Sequence, residues 1–252
     1  MDRVPPRGVL AAVEGWGKTT IAAQAPKPLI LMSEGETGYE TLLGAGLVPD
    51  VDRAGPITSW EELLSTIDYL LANDTGHKSL WLDELGGFER LCHHHVGRRD
   101  FSGDMGPKGF LSFHKGYDMA VNDWCGLLQR LERLHREKHM SVWLLSHVQV
   151  RPFRNPLDED YDRFVADCHG KTWKPTHGWA DVVLFGRFEE IADKDKDGRV
   201  RGKGGWQRVI ETQRRAAWDA KNRYGMPEQI EIPNDHTQNY KAISQALKGG
   251  KK

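Results

Sequence analysis

The sequence holds only three cysteines, Cys92, Cys125 and Cys168, in 252 residues, widely spaced and with no Cys-x-x-Cys pair. The pattern suits a reducing compartment better than a disulfide framework, and these residues need be no more than packing residues. No apolar run approaches the ~20 residues that cross a bilayer, and residues 1–6 do not lead into a signal-peptide core. A cytoplasmic protein with no membrane contact is expected. An excess of one charge is also missing: 35 Lys and Arg against 36 Asp and Glu leave a formal net charge of -1. Any nucleic-acid surface must therefore come from local clusters. No internal repeat is present, and nothing has the form of a nucleophile elbow.

Two tempting metal motifs fail on geometry. Cys92-His93-His94-His95 cannot turn adjacent side chains onto one zinc ion, and no second ligand pair lies at finger spacing. Asp193 to Gly198 imitates the start of an EF-hand loop, but Gly204 stands where the bidentate glutamate belongs. The segment reads as a charged hairpin turn.

What is present is a polar but foldable chain, with 38% hydrophobic and 28% charged residues. Short apolar stretches at 9–13, 29–32, 80–82, 142–145 and 182–185 read as buried strands. Between them, Leu63, Leu64, Ile67, Leu70 and Leu71 share one helical face, as do Trp124, Leu127, Leu128, Leu131 and Leu134. Thr58 or Ser59 caps the first of these helices, with Glu61 and Glu62 in its first turn. Alternation of strand and helix predicts an α/β fold with a mainly parallel sheet between helices. After Asp181 the pattern becomes an antiparallel meander over 185–191, 207–212 and 229–232, with a short helix expected over 240–247. Two long polar segments, 86–116 and 149–178, read as loops, and loops of that length usually carry function.

The chemistry concentrates at Ala12-Val13-Glu14-Gly15-Trp16-Gly17-Lys18-Thr19-Thr20. Gly15 and Gly17 let backbone amides converge on phosphates, and the helix that follows favours an anion at its start. Lys18 is placed to reach the β- and γ-phosphates of ATP, and the Thr19 hydroxyl to ligate Mg²⁺. Ala12 replaces the first glycine of the phosphate-loop pattern, which is expected to cost backbone freedom. Ser79-Leu80-Trp81-Leu82-Asp83-Glu84 supplies the apolar strand ending in acid, with Asp83 as the magnesium-shell carboxylate. Glu34 and Glu84 compete as the group that positions the attacking water.

With these residues the chain resembles the RecA-like ATPases, and among them the phage RecA-like proteins associated with single-strand annealing and recombination. The resemblance runs from the loop through Ile21-Ala22-Ala23-Gln24-Ala25-Pro26-Lys27-Pro28-Leu29 and spans residues 8–235. It implies a RecA-like ATPase domain over 1–235 and a tail over 236–252. Ser33-Glu34-Gly35 occupies the place of the family's catalytic glutamate, which ranks Glu34 above Glu84. Leu144-Leu145-Ser146-His147 resembles the strand whose last polar residue senses the γ-phosphate, here His147. Ala220-Lys221-Asn222-Arg223 is similar to the family's Lys-x-Arg finger, whose two cations act on a neighbouring subunit's triphosphate.

The resemblance further implies a homo-oligomer, ring or filament, in a bacterial or phage-infected cell. It implies single-stranded DNA as a partner and a single-strand-binding protein as a possible accessory. The two long segments mix cations and aromatics, as single-strand binding requires: Arg98, Phe110 and Phe113 in the first; Arg151, Phe153 and Arg163 in the second. A nucleotide-gated assembly or loader ATPase that contacts proteins instead of DNA is the alternative. A small-molecule kinase is a third reading.

Overall fold

The computed structural model describes residues 4–156, 158–194 and 200–249. Strand β1 (Arg7–Ala12) leads through the phosphate loop into the short helix α1 (Lys18–Ala23). Then come β2 (Pro28–Ser33), α2 (Gly38–Gly44), β3 (Asp52–Ile57), α3 (Trp60–Ala72), β4 (Ser79–Asp83) and α4 (Leu85–Asp100). A loop separates α4 from α5 (Lys115–Glu137), and β5 (Ser141–Ser146) follows. The hairpin β6 (Val148–Phe153) and β7 (Tyr161–Ala166) forms a sheet of its own and leads into α6 (Gly170–Trp179). Strands β8 (Val182–Lys194), β9 (Val200–Glu211), β10 (Lys221–Asn222) and β11 (Gln229–Ile232) precede α7 (Asn239–Gly249).

The main sheet runs β11-β9-β8-β1-β5-β4-β2-β3, with β10 also on β8. From β8 to β3 all neighbours are parallel, whereas β9, β10 and β11 are antiparallel. The two faces carry separate cores because successive side chains of a strand point to opposite sides. Val9, Leu31, Leu82 and Leu144 pack under α3, α4 and α5, while Leu10, Ile30, Trp81, Trp143 and Leu145 face α1 and α7. Trp81 and Trp143 stack with centroids 5.2 Å apart, on neighbouring strands in register. Gly8 makes room for that pair, since a Cβ there would meet the Trp143 ring at 2.3 Å.

The helical faces read from the sequence are the buried ones: α3 turns Leu63, Ile67 and Leu70 inward, and α5 turns Trp124, Leu127, Leu128, Leu131 and Leu134 inward. Ser59 is the cap of α3 and accepts from the Glu62 amide at 3.1 Å. The two segments read as loops are instead largely ordered. Residues 85–100 are α4, which buries Leu85, Phe88, Cys92 and Val96. Three glycines, Gly86, Gly87 and Gly97, mask its helical period, yet packing demands each of them: a Cβ on Gly86 would meet the Asp167 carbonyl oxygen at 2.9 Å, one on Gly87 Ser33 Oγ at 2.1 Å, and one on Gly97 Met105 Sδ at 2.3 Å. The second segment is the β6–β7 hairpin plus α6. Strand β3 hides behind Gly55 and Pro56, and it escapes a hydrophobic reading because it lies at the sheet edge with a mostly exposed sequence. The charged turn after Asp193 lies outside the described residues from Asp195 on; its flanks pair antiparallel, Lys194 opposite Val200. No described helix is long and apolar enough to cross a membrane.

Candidate nucleotide site

The carboxyl ends of the parallel strands gather the predicted residues. Gly15, Trp16, Gly17, Lys18, Thr19 and Thr20, with Asp83 and His147, line one cavity of about 490 Å³. They arrive from β1, β4 and β5, adjacent in the sheet, so strand order alone brings them together. Gly15 at φ 68° and Gly17 at φ 105° take the left-handed conformations that turn the loop.

Ala12 does not sit in the turn at all. It is the last residue of β1, paired with Gly186 of β8, so the backbone freedom of a glycine is not required there. Room is required instead: a Cβ on Gly186 would lie 2.8 Å from that of Ala12 and 2.7 Å from the Trp16 ring. The glycine is on the neighbouring strand.

Lys18 is buried, and its ammonium donates to the Ala12 carbonyl at 3.4 Å and to His147 Nδ1 at 3.2 Å. Burial lowers its pKa, with Asp83, Glu84 and Glu36 pulling the other way. An ammonium can only donate, so His147 Nδ1 accepts and the ring proton resides on Nε2. Burial and then the Lys18 charge push the His147 pKa down, which keeps the ring neutral. The Thr19 hydroxyl donates to Asp83 Oδ2 at 2.8 Å. Asp83 is only 4% exposed, and desolvation lifts its pKa to about 6 despite the Thr19 bond. A hydroxyl and a desolvated carboxylate on one wall form the hard-oxygen donor set of Mg²⁺, and Lys18 retains donor capacity for an anion, so the residues fit Mg-ATP.

The glutamates divide by geometry. Glu84 is buried and does not line the cavity; it accepts from the Gly87 amide at 3.2 Å as the cap of α4, and from the His147 amide at 3.3 Å. It braces the end of β4 to the end of β5. Glu34 is exposed, its amide bonded to the Ile57 carbonyl at 3.2 Å, and lies off the cavity wall. Glu36, two residues on, lines the cavity and acts electrostatically on Lys18, Asp83 and His147. Sequence reasoning passed over it, although a Glu-x-Glu pair after β2 was visible. Arg208 and His236 also line the cavity from the far end of the chain, with no local signal to mark them.

Lys221 and Arg223 lie at the opposite edge of the sheet. Lys221 pairs with Val183, whose neighbour on β1 is Val9, well before the phosphate loop. Its ammonium donates to the carbonyls of His177 and Ala180, both at 2.7 Å, and of Gly178 at 3.4 Å, so it caps the end of α6 within its own chain. Arg223 donates to Asp181 at 3.3 Å and keeps 54% of its side chain exposed. Of the aromatic and basic residues in the two segments, Phe110 and Arg163 are buried, whereas Phe113 is 91% exposed and Arg151 is exposed. His93, His94 and His95 lie on α4, and no metal-binding cluster of His, Cys, Asp or Glu occurs among the described residues.

Fold and cavity together define a P-loop ATPase. Residues 5–224 match the AAA domain family, and the chain belongs to that family. Among solved structures it is similar to the RadB recombinase in its crystal structure, at 14% identity and a TM-score of 0.52, over 92% of this chain and 88% of that one. The core is thus RecA-like, a mainly parallel sheet between helices with antiparallel strands toward the C-terminus. No curated protein matches the chain.

Proposed function

We propose that this ATPase binds single-stranded DNA and acts in recombination or annealing, hydrolysing ATP at interfaces between copies of itself. The observation that carries the reading is the position of His147. Its ring meets Lys18 in the cavity, its amide meets Glu84, and its carbonyl accepts from the Asp167 amide at 2.9 Å, at the foot of the β6–β7 hairpin. A change in what Lys18 holds is felt two bonds away by the hairpin. That hairpin presents Arg151 and Arg154 to solvent, with Arg151 also donating to the Cys168 carbonyl at 3.2 Å, and the loop before α5 presents Phe113, cations and a ring of the kinds suited to phosphates and bases.

In this mechanism Lys18 holds the β- and γ-phosphates, and Thr19 and Asp83 hold Mg²⁺, which when bound neutralises charge on those phosphates. Glu36 orients the attacking water, with Glu34 on the same loop as the sequence-based candidate. His147 offers its Nε2 proton to the γ-phosphate. Arg223 reaches a neighbour's site, while Lys221 fixes the strand that carries it. The similarity to a protein described as a recombinase supports the DNA reading.

A nucleotide-gated loader that contacts proteins is favoured by a different observation. Arg99 is tied to Asp100 at 2.8 Å and Asp123 at 2.9 Å, and Lys171 to Asp118, which removes cations from a DNA surface. ATP turnover measured with and without single-stranded DNA separates the two. Stimulation by DNA is expected; turnover indifferent to DNA, together with no retention of labelled oligonucleotide, overturns the first reading in favour of the second.

A further inference from the structure

Among the described residues, other buried or half-buried arginines come with a carboxylate. Arg7 faces Asp181 at 2.8 Å, Arg187 faces Glu211 at 2.7 Å, and Arg163 faces Asp219 at 3.5 Å. Arg208 breaks the pattern. Only 7% exposed on β9, it donates to the Trp16 carbonyl at 3.3 Å, the Pro233 carbonyl at 2.8 Å and Asn239 Oδ1 at 3.3 Å, all of them neutral oxygens. Among the described residues no acid pairs with it, and nothing offsets the desolvation that disfavours its charge. A buried cation without a counter-charge is costly to keep. Its position is equally specific: the guanidinium lies against the phosphate loop, where a Cβ on Gly17 would come within 2.7 Å of it, and it lines the same cavity as Lys18 and Asp83.

We infer that Arg208 is a second phosphate-binding cation of the nucleotide site, supplied by the same chain, and that its missing counter-charge is the polyphosphate of the bound nucleotide. This rests on the nucleotide reading of the cavity. A guanidinium has five N–H donors in a fixed fork, so it can keep its hold on Trp16 and Pro233 while donating to a phosphate oxygen as a further partner. Lys18 approaches the polyphosphate as a point charge from α1; Arg208 approaches from the antiparallel extension. Because Arg208 also holds Pro233 and Asn239, where α7 begins, phosphate occupancy is tied to the segment that covers α1.

The test compares wild type, R208Q, R208K and K18A for binding of ATP, tripolyphosphate and adenosine, by calorimetry and thermal shift. R208Q is expected to weaken ATP and tripolyphosphate about 30-fold, and R208K about 5-fold, with adenosine unchanged, as loss of a charge-assisted partner predicts. An arginine with a purely structural role would instead lower the melting temperature of the free protein and leave the polyphosphate affinity intact. ATP and tripolyphosphate binding to R208Q at wild-type strength, beside their loss in K18A, overturns this inference alone. Failure of wild type to bind either overturns the nucleotide reading itself. Should R208Q not fold, the arginine Nε–H resonance of wild type that is missing in R208K serves: a shift on adding tripolyphosphate supports the assignment, and no shift refutes it.

Discussion

At the amino-terminal edge of the parallel strands, Arg7 forks onto Asp181 at 2.8 and 2.9 Å and also reaches Glu132, and Lys221 is wrapped by three carbonyls. At the carboxyl-terminal edge, Lys18 has a long carbonyl contact and an imidazole, Asp83 has a hydroxyl, and Arg208 has neutral oxygens. Both edges hold buried or half-buried charge, but the arginines of the first, Arg7 and Arg223, meet Asp181, whereas Arg208 of the second meets no acid among the described residues. A fold keeps such an imbalance where a ligand completes it, so the second edge is the working one. The first edge is built for stability, and its exposed remainder, Arg223, is what it can offer to a neighbour.

The largest effect expected at the working edge is from Lys18→Ala, which should lower ATP turnover by about 10³-fold or more while circular dichroism stays that of wild type. Residual turnover near the wild-type rate would break the comparison at its root. Next in size, Glu36→Gln should lower turnover about 10²-fold at saturating ATP, with binding retained, and Glu34→Gln should do less. The reverse order would return the water-positioning role to Glu34.

A stability measurement probes the same edge from the other side. Desolvation raises the Asp83 carboxyl from 3.8 to about 6, so its neutral form suits the empty site. The stabilising contribution is complete below the unfolded value and is lost as pH rises through about 6. Asp83→Asn, free of nucleotide and metal, should therefore be more stable than wild type by about 2 kcal/mol at pH 7.5, with the gap closing toward about pH 4. Equal stability across that range in denaturant melts would mean the carboxylate is better solvated than its burial implies. At the balanced edge the sign is opposite. Lys221→Met leaves carbonyls at the end of α6 without their donor and should destabilise by about 1–2 kcal/mol, whereas Arg223→Ala should change stability by less than about 0.5 kcal/mol. If Arg223→Ala nevertheless slows turnover, and does so less in mixtures with wild-type chain, the neighbour contact is sharpened from proposal to measurement.

Much of the working edge was legible because its chemistry is local in sequence. Lys18, Thr19 and Asp83 stand in short patterns, and the strands that bear them are apolar runs, so α/β topology followed directly. What stayed hidden depends on partners far along the chain. Arg208 meets Trp16 across 192 positions, and no spacing announces it. Gly186 is a single glycine in an ordinary strand until Ala12 and Trp16 are seen beside it. Glu34 and Glu36 differ by two residues, and only the turn after β2 decides which carboxylate reaches the cavity. Helix α4 was missed for the reason that makes it fit: glycines chosen for close packing look, in one dimension, like a loop.

Trp16 carries a consequence for how the site meets its ligand. Its indole is fully buried in the phosphate loop, Nε1 donates to the Arg187 carbonyl at 2.9 Å, and its own carbonyl is held by Arg208. A loop fastened at its midpoint to two neighbouring strands has little shape left to choose when the phosphates arrive. Association then requires little ordering of the loop and is expected to proceed by direct docking, with a single concentration-dependent phase in stopped-flow mixing and without a slow rearrangement after encounter.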